Sequence, residues 1–143
     1  MLYLMYVDFT SRNDEDSIRL LQMFFAADLE NRQEILLELI ERRIKCKNFR
    51  EAYDEITSHL AYSPFNHNSH LLARGAMLAH YFYDHDNTRK KDFYLKQAIT
   101  FYQKALDNLE KTSDVFEDDK SRWMSSLEKL KSHVPVEKEQ DYE

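Results

Sequence analysis

Apolar positions along this chain recur at helical spacing, and twice they do so in paired runs. Ile18, Leu21, Phe25 and Leu29 share a face at i, i+3, i+7 and i+11, after a polar and acidic opening that favours a helix start near residue 13. Asn31 to Glu34 reads as a capping box, with the Asn31 side chain accepting a backbone N–H and Glu34 reaching back. That box opens a helix running to about Cys46, with Leu36, Leu39 and Ile40 on one face. After a break at Lys47-Asn48, Phe49, Ala52, Tyr53, Ile56 and Leu60 mark the next helix, and Pro64 ends it. Ser69 is placed to cap a helix to about Tyr83, with Leu71, Leu72, Gly75, Leu78 and Phe82 on its apolar face. A polar break follows, and helical spacing resumes from Phe93 to Leu109 through Ala98, Tyr102 and Ala105. Asp114 to Glu117 offers a further capping box, and Phe116, Trp123, Leu127, Leu130 and Val134 trace a last face before Pro135.

The pattern therefore predicts five or six helices in antiparallel hairpins, one domain over 1–135. Residues 136–143 have no apolar period, are acidic and are expected to be a disordered tail. Met1 to Phe9 fits neither the helical nor the strand period, and so apolar a segment must pack on its own domain or on a partner.

Composition strengthens the all-α expectation. One glycine and two prolines leave few residues for the tight turns of a sheet protein, and nine Phe with nine Tyr suit bulky helix packing. The 143 residues suffice for one real core. The single Cys46 rules out an internal disulfide and fits a reducing compartment. The apolar run Met1 to Val7 is too short for a signal segment and no run spans a bilayer, so a soluble intracellular protein is expected. A net charge of −6 argues against direct grip on DNA or RNA, because that grip depends on cations neutralising phosphates.

The two hairpins look like one unit written twice. Residues 33–66 match a repeat of ~34 residues, with Ala52 where paired helices approach and Pro64 near the end. They resemble a tetratricopeptide repeat, although Ile40 stands where the usual glycine would be and Arg43 where the usual tyrosine would be. The second unit has that glycine as Gly75 and keeps Ala98, Tyr102 and Ala105. It carries an insertion of about eleven residues against the usual period. Phe49, Ala52, Tyr53, Gly75, Ala98, Tyr102 and Ala105 are thus the expected helix-pair packing positions.

Lys47-Asn48-Phe49-Arg50-Glu51-Ala52-Tyr53, with Pro64 and Gly75 after it, also looks like the helical-repeat subunit of the yeast RNA polymerase I core factor. That family has an Asn-aromatic-x-x-Ala-Tyr turn at close to these spacings and long charged flanks that this chain lacks. The resemblance implies a nuclear, nucleolar scaffold for promoter recognition and polymerase recruitment, with TATA-binding protein and core-factor subunits as partners and DNA contacted only indirectly. A generic adaptor or assembly factor of the same architecture is the first alternative.

Candidate chemistry is sparse. His80 and Asp84 are four apart on one helix with His85 beside them, the nucleus of a metal site and of an alternative reading as a small metal-dependent hydrolase. No further ligand spacing completes the set, so solvation and capping are the expected roles. Cys46 follows a basic stretch, and Lys47 is placed to lower its pKa, but no histidine stands nearby in sequence to act as a base. With one glycine there is no phosphate-binding loop. No catalytic residue, cofactor or metal is expected. The densest basic cluster, Arg42, Arg43, Lys45, Lys47 and Arg50, complements a helix C-terminus and is also the candidate to orient a partner, and Arg89-Lys90-Lys91 is a second, smaller patch. Consecutive aromatics such as Tyr81, Phe82 and Tyr83, and the pair Phe93-Tyr94, cannot all hide on one face. Either the core wraps two sides of their helices, or Tyr81, Tyr83 and Phe93 offer a patch to a partner.

Overall fold

In the computed structural model, residues 13–134 are described, apart from Leu29 and Ser113. They form α1 (Asp14–Ala27), α2 (Arg32–Lys45), α3 (Phe49–Leu60), α4 (Ser69–His85), α5 (Lys90–Asp107) and α6 (Glu117–Lys131). Short 3₁₀ turns occupy Phe65–His67 and Leu109–Lys111, and no strand occurs among the described residues. The all-α stack expected from the spacing is present. The arm Met1 to Phe9, Leu29, Pro135 and the acidic tail 136–143 lie outside the described residues.

Helix starts follow local chemistry, with three shifts from expectation. Asn13 caps α1, its Oδ1 accepting the Asp16 N–H at 2.9 Å, and Asp14, Glu15 and Asp16 fill the positive first turn. Asn31 does not cap α2. Asp28 accepts the N–H groups of Glu30 and Asn31 at 2.9 and 3.1 Å, and the Asn31 side chain donates to the same carboxylate at 2.9 Å. A charged acceptor three residues upstream outcompetes the box. Asn68, not Ser69, caps α4, accepting the Leu71 N–H at 3.2 Å. Ser69 lies one residue inside, fully buried, where its hydroxyl donates to the Ala105 carbonyl at the end of α5 at 2.6 Å. Finally, α6 begins at Glu117, with Asp119 accepting the Phe116 N–H at 3.3 Å. Phe116 is left in solvent, as is Val134, and neither joins the apolar face expected of them.

The expected insertion between the helices of the second pair is also placed differently. Only residues 86–89 separate α4 from α5. The two helices have 17 and 18 residues where α2 and α3 have 14 and 12, so helix length absorbs most of the extra chain. Polar residues such as Asp84, Lys90 and Lys91 belong to helix ends rather than to a loop.

Each helix packs on the one before it, α4 against α5 most extensively, and α2 also touches α4. The main core runs from α2 to α6 through Leu36, Ile40, Ile56, Leu71, Ala98 and Leu130, each wholly buried. Burying one such leucine or isoleucine contributes about 1.5–3 kcal/mol. A smaller cluster of Ile18, Leu21, Ile35 and Leu39 seats α1 on α2. Gly75 marks the tightest crossing. A Cβ there would stand 2.8 Å from Leu60 Cδ1 on α3 and 3.4 Å from Phe101 Cδ2 on α5.

The consecutive aromatics of α4 are covered from several sides. Tyr81 packs on Phe49 of α3 at 4.4 Å, Phe82 lies 5.4 Å from both Tyr53 and Tyr94, and Tyr83 meets His133 beyond α6 at 5.8 Å. All three are half-buried.

Candidate functional site

The feature best suited to function is a groove of about 470 Å³ between α3 and α5. On α5, Phe93, Lys96, Thr100 and Lys104 recur at i, i+3, i+7 and i+11, which aligns them along one face of the helix. Opposite stand Thr57 and Leu60 of α3 with Ala61 just past its end, and buried Phe101 closes the floor. Phe93 is 52% exposed although it is a large apolar side chain.

The groove continues past Phe93 into a second hollow lined by Arg50, Tyr53, Arg89, Lys90 and Tyr94. Arg50 is fixed there: it donates to the Tyr94 hydroxyl at 2.6 Å and lies over the Phe82 ring at 4.3 Å. Tyr53 beneath it is neutral, its phenol pushed up to about 12 chiefly by burial. Asp86 stands at the outer rim, where two hydrogen bonds from Thr88 hold its carboxyl below the usual range.

The electrostatics of this face run against the molecule as a whole. Arg89, Lys90, Lys96 and Lys104 are exposed, and no carboxylate lines either hollow that Phe93 joins. Among the described residues none of these four cations lies within ion-pair distance of a carboxylate, whereas Arg50 pairs with Asp54 at 3.4 Å and Lys90 adds to Thr88 in holding down the Asp86 carboxyl at the rim. In a chain of net charge −6, the groove concentrates unpaired positive charge around an exposed aromatic ring.

Of the residues expected to meet a partner, Phe93 lies in this groove, Arg50 in the hollow that continues it, and the other six elsewhere. Arg42 donates to Glu38 and to the Ser17 hydroxyl of α1, both at 2.9 Å. Arg43, its side chain 11% exposed, spans α2 and α3 through Glu51 at 2.9 Å and Glu55 at 2.8 Å. Both arginines hold helices together. Lys45 and Lys47 are exposed at the α2–α3 turn, Lys45 at 3.6 Å from Asp14. Tyr81 is stacked on His85 at 4.1 Å, and Lys91 lies 4.9 Å over the Tyr83 ring. The helix-pair residues Ala52, Tyr53, Ala98, Tyr102 and Ala105 are buried, and Phe49 is half-buried against Tyr81.

His80 lies 3.5 Å from Asp84, but His85 Nδ1 turns back to the Tyr81 carbonyl at 2.7 Å. Among the described residues no group of three His, Cys, Asp or Glu side chains converges as a metal site would. Cys46 shifts opposite to expectation: burial, then the Asp14 carboxylate, pushes its thiol up, and the smaller effect of Lys45 does not offset them. Among the described residues no helix is long and apolar enough to cross a membrane.

Lys96 and Lys104 escaped the sequence reading because they look like the ordinary solvent face of α5. Their signal was the stripe they form with Phe93, an exposed aromatic in register with two lysines. No family model, curated protein or solved structure matches this chain.

Proposed function

We propose that this chain is a non-enzymatic scaffold that works by binding a protein partner. One observation carries the reading: an apolar groove with an exposed phenylalanine and unpaired cations, whereas Arg42 and Arg43 of the densest basic cluster are engaged between helices. Protein interfaces are built on such aromatic anchors, and complementary charge at the rim sets orientation and encounter rate. Affinity purification of the tagged chain is the test. Recovery in a stoichiometric complex is expected, and recovery as a stable lone monomer would overturn the reading. Stoichiometric zinc or iron in the purified protein would instead favour hydrolase chemistry at His80 and Asp84.

The narrower assignment is to RNA polymerase I initiation, with TATA-binding protein and core-factor subunits as partners and a nucleolar location. It is supported by Lys47 to Tyr53, Pro64 and Gly75. Phe49, Ala52, Tyr53 and Gly75 are packing positions, so they argue for the helix pair more strongly than for the partner. Chromatin immunoprecipitation should place the tagged chain at ribosomal DNA promoters; absence there ends this assignment and leaves the adaptor reading intact.

A further inference from the structure

We infer that the groove between α3 and α5 docks an acidic helical segment of a partner protein, with an apolar side chain of that segment seated against Phe93. This deepens the scaffold reading and rests on it. The geometry supplies a length: Phe93 to Lys104 covers eleven steps of α5, roughly 16 Å at helical rise, or three turns of a partner helix. It supplies an anchor, since Phe93 stands half in solvent above a floor made by Leu60 and Phe101. It also supplies a sign. Lys96 and Lys104 flank the apolar strip on one side of Phe93, and Arg89 and Lys90 stand beyond it on the other. An amphipathic helix with apolar residues at i and i+4 and carboxylates on its flanks meets both demands at once.

Nucleic acid fits less well. Its phosphates have no use for a floor of leucine, alanine and phenylalanine, and the net charge of −6 repels a polyanion at long range. A second copy of the chain would bring an overall like charge to the same face.

The test uses the full chain and a fluorescein-labelled peptide of about sixteen residues, rich in Glu and Asp, with Leu and Phe at i and i+4. Two controls accompany it: the same peptide with Gln and Asn for the acids, and a single-stranded oligonucleotide of equal charge. Anisotropy should show saturable binding of the acidic peptide at low salt, weakened at least about tenfold by Lys96→Glu with Lys104→Glu, and likewise by Phe93→Ser. Lys96 and Lys104 are exposed, so circular dichroism melts of the charge reversals should not move, whereas half-buried Phe93 makes Phe93→Ser melt somewhat lower and its binding is read well below that melt. If the double charge reversal unfolds, Lys96→Gln with Lys104→Gln carries the comparison. The inference is overturned by no binding near 1 mM peptide, by equal binding of the neutral peptide, by tighter binding of the oligonucleotide, or by indifference to the substitutions. It is equally overturned by self-association of the chain that Lys96→Glu with Lys104→Glu abolishes, which would assign the groove to a second copy. If the tagged chain still purifies in a complex while any of these outcomes holds, the scaffold reading survives and its docking face lies elsewhere.

Discussion

Lys47 turns the chain from α2 into α3 with φ at 64°, in the left-handed region. Its N–H donates to the Ile44 carbonyl at 2.9 Å and the next N–H, of Asn48, to the Arg43 carbonyl at 2.8 Å, the paired closure of a Schellman turn. Glycine usually holds this position because a Cβ there crowds the following carbonyl. Lys47→Gly should therefore stabilise the protein by about 0.5–1 kcal/mol, seen as a higher urea midpoint at unchanged slope. His59 carries a pH dependence. It is wedged between Phe25 and Phe65, 5.1 Å from each ring centroid, and burial lowers its pKa from 6.5. The unfolded chain thus takes up the proton first on acidification. Stability from this residue is complete above about 6.5 and is lost as pH falls through the lower folded value. Urea midpoints measured across that range should decline, and His59→Phe should remove most of the slope.

At the scale of elements, Gly75 lets α3 and α5 both close on α4. The Cβ of Gly75→Ala would press on Leu60 Cδ1, the tip of a flexible side chain that borders the open groove, so Leu60 can yield. Helix propensity favours alanine by about 0.8–1 kcal/mol, and the two effects should nearly cancel. Gly75→Val should cost about 1–3 kcal/mol, because its second branch meets Phe101 as well; chemical denaturation of both variants checks the contrast. Ala52, wholly buried in α3, makes a sharper case. Ala52→Arg should cost several kcal/mol by overpacking and a buried charge, roughly 3 or more, while Arg89→Ala should stay within about 0.5 kcal/mol because its side chain is exposed. The same helices show what sequence reasoning could reach. α3 was legible throughout, since Ala52, Tyr53, Ile56 and Leu60 form one uninterrupted apolar face. The start of α5 was not, because Lys90 to Asp92 is a solvent-facing first turn and has the composition of a loop. Ser69 reads as a cap in the sequence because its true partner, the Ala105 carbonyl, is far away along the chain. Arg43 looked available until the hairpin returned Glu51 and Glu55 to it.

For the molecule as a whole, the two core clusters differ in depth. α1 contributes Ile18 and Leu21 to a small cluster shared with α2, whereas α4 and α5 lie within the large one. Hydrogen exchange should therefore release the α1 amides well before those of α4 and α5. The groove was the least legible feature, since a groove is a property of two helices placed side by side; Phe93, Leu60 and the basic run from Arg89 stand out in the sequence singly, and Lys96 and Lys104 do not. The packing of each helix on its predecessor has a consequence of another kind. When most contacts join segments close in sequence, little chain entropy is lost before a contact forms, and such topologies fold in microseconds to milliseconds. On a ribosome each new hairpin would find its neighbour already in place. The order of the helices along the chain is then also an order of assembly, in which α6 closes over α5 last.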